Sequence, residues 1–272
     1  MRKGKKPYFS LLLLLLIAGL CIFCEVTAPY TPQDMDSTAV CLSPQAGHLL
    51  GTDSMGRDLL SMLLYGGRIS LFIGLLSGAI STGIGILYGA VSGVCPKAID
   101  DLMMRGTELF MSIPSLLLVL FLQAIWGKAT PVSIAVVVAV SSWMTIAKVV
   151  RSEVRQIGKS EYILAAKTMG ADYFYLLWVH LAPNFLSSIM FLVVTNIGQA
   201  IISETTLSFI GLGLPVSTVS WGSLLSLSKN ALLSNQWWMI VIPGIVLIVT
   251  LVCITQIGEY LRQRNNRLHS NL

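Results

Sequence analysis

Charge is scarce in this chain: Asp, Glu, Lys and Arg make up 11% of its 272 residues, against about a quarter in a soluble domain. That poverty, with 54% hydrophobic residues and a mean hydropathy of +0.76, excludes an ordinary soluble fold. Histidine is rarer still, with three residues in separate places, so no zinc cluster is implied. Five cysteines (21, 24, 41, 95 and 253) are scattered in or beside apolar stretches and form no disulfide framework. Cys21 and Cys24 have C-x-x-C spacing but sit inside an apolar run without a second pair, which reads as helix packing. No phosphate-binding G-x-x-x-x-G-K loop is present, because Gly127-Lys128 and Gly158-Lys159 have Leu122 and Glu153 where the first glycine belongs.

What the chain does contain is long apolar runs. Six stand out, over 8–26, 69–94, 108–127, 132–150, 184–206 and 237–258. Each is long enough to cross about 30 Å of hydrocarbon as a helix, and none alternates as a membrane β-barrel strand must. The expectation is an all-α polytopic membrane protein with six transmembrane helices. Of the 18 Lys and Arg, only Arg57, Arg68, Lys128 and Lys229 fall outside if both termini are cytoplasmic, so the positive-inside rule gives that orientation. The net charge of +5 then reflects topology and not nucleic-acid binding. The first run follows Arg2 to Lys6 as in a signal peptide, but the small-residue site Val26-Thr27-Ala28 is followed by Pro29, which argues for retention.

The spans hold little chemistry. Glu108, Lys148 and Glu204 are placed near span ends, whereas an ion-coupled carrier needs ionisable groups near the midplane. An ion-coupled secondary transporter is the alternative that this argument weakens. Gly74, Gly78, Gly85, Gly89 and Gly93 lie along one helical face of the second span, a stripe that lets another backbone approach closely in lipid. A seam within the chain and a seam against a partner subunit both satisfy it. Pro114 and Pro243-Gly244 are sites for kinks.

Two polar segments interrupt the lipid pattern. The first, residues 27–68, is an external loop containing Leu50-Gly51-Thr52-Asp53 and Gly56-Arg57-Asp58. Thr52 or Asp53 is expected to cap a short surface helix through Leu59, Leu60, Leu63 and Leu64, and Asp53, Arg57 and Asp58 to pair with one another. The second runs from Glu161 to Asn184 on the cytoplasmic side. Helical periodicity extends from Arg151 to Met169, Gly170 can end that helix in the left-handed region, and Asp172 can cap a second short helix toward His180. Ala165 and Ala166 keep one face shallow, so that another protein can sit close, while Glu161 and Lys167 supply charges. His180 reads as structural.

The spacing Glu161-x-x-x-Ala165-Ala166-x-x-x-Gly170, with Pro183 beyond, resembles the cytoplasmic motif of ABC-importer permeases. Further segments resemble the oligopeptide, dipeptide and nickel branch of that family: Leu50 to Asp58, Gly67-Arg68-Ile69-Ser70-Leu71, Met111 to Leu116, Leu207 to Gly213 with Trp221-Gly222, and Pro243-Gly244 with Gly258-Glu259-x-Leu261-Arg262. Departures occur where the family often has Arg (Met62), Asp (Glu108 and Glu259) or Leu (Ala182), at the 215–220 loop, and in a missing C-terminal Asp-Pro.

The resemblance implies an N-terminal helix and extracytoplasmic loop over 1–68, a permease domain over 69–262 and a cytoplasmic tail over 263–272. It implies a location in the bacterial inner membrane, a second homologous permease subunit, two ATPase subunits and an extracytoplasmic substrate-binding protein. The chain would be no enzyme itself: it would bind no cofactor, with ATP and Mg held on the ATPases. Glu161, Ala165, Ala166, Lys167, Gly170 and Ala171 would couple to the ATPase, and Asp53, Arg57, Asp58 and Trp221 would meet the binding protein. Peptide and nickel or metal-chelate substrates are both left open.

Overall fold

A computed structural model describes residues 7–170, 182–215, 217–229, 231 and 234–269. Those residues form ten helices and no strand, so the all-α expectation holds. In chain order they are α1 (Tyr8–Ile22), α2 (Cys24–Thr27), α3 (Leu59–Val94), α4 (Lys97–Met111), α5 (Ser115–Trp126), α6 (Pro131–Ile157), α7 (Glu161–Thr168), α8 (Ala182–Ile210), α9 (Trp221–Leu227) and α10 (Trp238–His269).

Four helices, α3, α6, α8 and α10, are long and apolar enough to cross a membrane, and α4 with α5 makes a fifth crossing if that bent pair is counted as one span. The chain is therefore a multi-pass membrane protein. The third expected span, 108–127, is not one straight helix. Its first residues belong to α4, and α5 leaves α4 at 89°. The break falls at Ser112 to Pro114, where proline has no N–H to donate to a continuing helix. With 12 residues, α5 is about 18 Å long and does not span alone.

The expected surface helix over 59–64 and the second span are also one element. α3 runs unbroken for 36 residues, about 54 Å, so residue 68 lies inside a helix and not at a boundary. Gly66 and Gly67 fail to break it because tertiary packing requires them. A Cβ on Gly67 would stand 2.4 Å from Cys21 Sγ and 2.8 Å from the Trp221 ring.

α3 and α6 form the centre of the bundle, with α8 against both. One apolar cluster joins α1, α3, α9 and α10 around Trp221 and Trp238, a second joins α3, α5, α6 and α8 around Ile73, Ile134 and Leu207, and a third joins α3, α6 and α8 around Ile146, Phe185 and Ile189. α1 lies on α3 and α10, with the Ser10 hydroxyl donating to Gln256. Its 15 residues, about 22 Å, fall short of the hydrocarbon thickness before the chain turns at Phe23 into α2. Leu12, Phe121 and Ile248 point outward, more than half exposed, as a lipid-facing surface allows.

Candidate functional site

The polar segment after α6 begins with a helix break. Periodicity alone runs the helix from Arg151 to Met169, but α6 stops at Ile157 and α7 starts at Glu161. Gly158 and Ser160 intervene, and the Ser160 hydroxyl donates to the Ile157 carbonyl at 2.6 Å. α7 carries Glu161, Ala165, Ala166 and Lys167. Glu161 is exposed, Ala166 half-buried, and Ile163 fully buried, which ties the helix down on one side. The chain then reaches Gly170 at φ +87°, a left-handed turn that suits glycine, with open space where a Cβ would stand. Ala171, Asp172 and His180 lie outside the described residues, and with them the expected second helix.

One turn before that break is an ion cluster that sequence reasoning missed. Asp100, on the first turn of α4, is fully buried. It accepts from Ser92 Oγ of α3 at 2.5 Å, from both arms of the Arg151 guanidinium, and from Arg155 at 2.7 Å. Nearby, Lys148 lies 3.6 Å from Glu108. Three helices meet at one carboxylate, and the end of α6 that leads into α7 is fixed to α3 and α4. The signal for it in the sequence is the spacing of four between Arg151 and Arg155, which places both on one face of α6.

The 28–58 loop is built on its glycines and acids. Gly51 (φ +82°) and Gly56 (φ +75°) have left-handed backbones, and a Cβ on Gly56 would stand 1.9 Å from the Asp36 carbonyl oxygen. Asp53 Oδ1 accepts the backbone N–H groups of Met55 and Arg57 at 2.8 and 2.9 Å, and its Oδ2 pairs with Arg57 at 2.6 Å. Neither Thr52 nor Asp53 caps α3. Asp58 does, accepting from the Ser61 N–H at 2.8 Å and meeting His48 Nδ1 at 3.0 Å.

Across the bundle, Glu204 of α8 is fully buried and accepts three hydroxyls: Ser70 at 3.0 Å, Ser208 at 2.9 Å and Ser220 at 2.7 Å. Ser220 also caps α9 in a reciprocal pair with Ser223. Trp221 is fully buried, its indole N–H donating to the Leu63 carbonyl at 3.0 Å. Gly222 and Gly213 fit because a Cβ on either would collide with Thr205 or Ser208. Sequence reasoning placed Glu204 near the end of a span; α8 extends past it to Ile210, so the acid faces the packed interior.

Asp53, Arg57, Asp58 and Trp221, the expected contacts of a binding protein, are all buried and each is engaged within the chain, so they shape the loops. Met55 and Leu212 beside them are exposed.

The glycine stripe lies within the chain. Gly74 and Gly78 meet Ile201 and Ile197 of α8, while Gly85, Gly89 and Gly93 meet α6 at Ile146, Ala147 and Val154. A Cβ at Gly89 would stand 2.4 Å from the Ala147 carbonyl. Among the described residues, no group of three His, Cys, Asp or Glu is placed to hold a metal ion.

The described residues form a many-helix membrane bundle with a short helix and a left-handed glycine turn after α6, an architecture of polytopic helical membrane proteins. The particular family follows from comparison: the chain belongs to the binding-protein-dependent transport system inner membrane components, whose family model matches residues 81–267. It is 33% identical over 262 residues to the dipeptide transport system permease protein DppC of Bacillus subtilis (strain 168), covering 96% of this chain and 82% of that protein. The oligopeptide transport system permease protein OppC of the same organism is 31% identical over 257 residues, covering 94% and 82%. The fold is similar to that of the MetNI methionine ABC transporter in an inward-facing form, with TM-score 0.59, 16% identity, and coverage of 75% of this chain and 96% of that one. An amino acid ABC transporter gives TM-score 0.56 at 13% identity, covering 75% and 94%.

Proposed function

We propose that this chain is the permease subunit of an ATP-driven peptide importer, forming half of the translocation pathway beside a second, homologous permease. The observation that carries the reading is the short α7 helix, with Glu161 exposed and a left-handed turn at Gly170, rooted through the end of α6 in the Asp100 cluster, in a chain of this family. Peptide is favoured over nickel because the relatives are dipeptide and oligopeptide permeases and the described residues offer no metal-binding group.

In this reading the chain crosses a bacterial inner membrane six times, with α1–α2 and the α4–α5 pair each counted as one crossing and both termini cytoplasmic. Two ATPase subunits hold ATP and Mg beneath it, and a binding protein delivers peptide to the opposite face. α7 sits in a groove of one ATPase, with Ala165 and Ala166 allowing close approach and Glu161 orienting it. When the ATPases close on ATP, α7 moves as a rigid body, and the Asp100 cluster passes that displacement to α3 and α4 together with α6. A packed ion cluster transmits displacement better than a loop, because its members cannot separate without leaving buried charge unpaired.

Co-purification and reconstitution test this. The tagged chain should bring down two ATPase subunits and a second permease, and the complex in vesicles should accumulate labelled dipeptide only with ATP and a binding protein. Uptake by the purified chain alone would overturn it.

A further inference from the structure

At mid-length of α6 and α8 lies a cleft of about 230 Å³. Its polar lining is Ser142 and Thr145 from α6 and Thr195, Asn196 and Gln199 from α8, over two aliphatic side chains. No charged residue is among them. Both helices are apolar enough to cross a membrane, so this polar group sits at the depth where polar side chains are least tolerated.

These residues fall into two sets by their hydrogen bonds. Ser142 donates to the Val138 carbonyl at 2.9 Å, Thr195 to the Phe191 carbonyl at 2.9 Å, and Asn196 to Ser81 Oγ of α3 at 2.8 Å. Thr145 and Gln199 are exposed, and among the described residues their side chains have no hydrogen-bond partner. The polar line continues along α8 through Ser203 and Thr206, each donating to its own helix. An unpartnered amide and hydroxyl facing acyl chains would lose their hydrogen bonds to water without replacement. Their placement calls for water, a solute or a polar face of the second permease in front of them, and the neutral, open shape of the cleft favours water and solute.

Resting on the permease reading above, we propose that this cleft is the chain's contribution to the substrate pathway and that Gln199, Thr145 and Asn196 contact the peptide in transit. The chemistry favours a solute rich in amides. Gln199 offers two donors and an acceptor, the complement of a peptide group, and the serine and threonine oxygens add acceptors. A divalent nickel ion is better served by imidazole or thiolate, which the lining lacks. Neutral, single contacts also suit a route that must release what it holds.

The test uses the full transporter, with both permeases and both ATPases, in proteoliposomes. Cys21, Cys24, Cys41, Cys95 and Cys253 are first replaced by Ser. Gln199→Cys and Thr145→Cys should then react with a charged, membrane-impermeant thiol reagent at least ~10-fold faster than Leu75→Cys and Ile248→Cys, which replace exposed apolar residues. Rates are compared with and without ATP, and labelling at Gln199→Cys should block dipeptide uptake. Equal rates in both states would overturn the assignment. Independently, with native cysteines retained, Gln199→Leu should lower dipeptide uptake roughly 3- to 10-fold, the effect of about one hydrogen bond, with Gln199→Asn milder. Unchanged uptake in Gln199→Leu would overturn the contact. If the parent complex moves no dipeptide, the peptide assignment falls, and fast labelling of Gln199→Cys would still place the cleft on a water-filled route.

Discussion

The Ser220 hydroxyl donates to Glu204 Oε1 across 2.7 Å, and both residues are fully buried. One acid therefore joins α3 through Ser70, its own helix through Ser208, and the start of α9 through Ser220. Replacing Glu204 by Ala leaves three hydroxyls without their acceptor and opens a cavity. The expected loss is about 2–4 kcal/mol of stability, read as a lower Tm of the detergent-solubilised complex. Glu204→Gln, which keeps the shape and one acceptor oxygen, should lose less than half as much. Equal losses would show that the second acceptor oxygen, and not packing, carries the stability.

The glycine seam makes a paired prediction. Gly89→Ala puts a methyl 2.4 Å from the Ala147 carbonyl, so α3 and α6 must separate, at a cost of about 1–3 kcal/mol. Gly83 on the same helix has nothing within 4 Å, and Gly83→Ala should be neutral or stabilise by up to about 1 kcal/mol through helix propensity. Thermal unfolding of the two variants side by side checks the contrast.

In the 28–58 loop, Gly56→Ala combines a left-handed backbone with a methyl 1.9 Å from the Asp36 carbonyl oxygen. The expected outcome is local unfolding, seen as faster proteolysis between residues 28 and 58 with α3 intact. Gly47→Ala in the same loop meets nothing within 4 Å and should leave the cleavage rate unchanged.

Asp100→Asn removes the charge that holds Arg151 and Arg155. Since the two guanidinium groups keep partial access to water, the expected destabilisation is about 1–3 kcal/mol, below that of a fully buried pair. In the reading proposed above, the sharper expectation concerns coupling: dipeptide taken up per ATP hydrolysed should fall in reconstituted vesicles. Arg155→Lys, which keeps the charge, should fall less.

Gly170→Val strains a backbone at φ +87° by about 1–3 kcal/mol without any collision, because the space around it is open. In the reading proposed here it should uncouple hydrolysis from uptake while leaving the bundle folded. Retained coupling in vesicles would count against α7 as the ATPase contact.

Much of this architecture was legible because lipid imposes one rule, internal satisfaction of the backbone, on every long apolar run. Four runs became long helices on that basis, and Gly170 turned as its place after an alanine-rich helix suggested. What composition could not convey was tertiary override. Gly66 and Gly67 lie inside α3, where Val219 and Ser220 pack on the first and Trp221, far away in sequence, on the second. Pro114 was read as a kink and is a full corner between two helices. Glu204, Asp100 and their serines were invisible as groups, since nothing in local spacing announces that residues on three elements will share one carboxylate.

The unbroken length of α3 has a mechanical corollary. Its first turn is pinned at Asp58 within the glycine-built loop, and its last turn at Ser92 within the arginine cluster. One continuous helix thus links the outer loop to the arginine cluster. In the reading proposed above, tilting it at one end sweeps the other in the opposite direction, so a docked delivery protein and a closing motor would be linked without any intermediate joint.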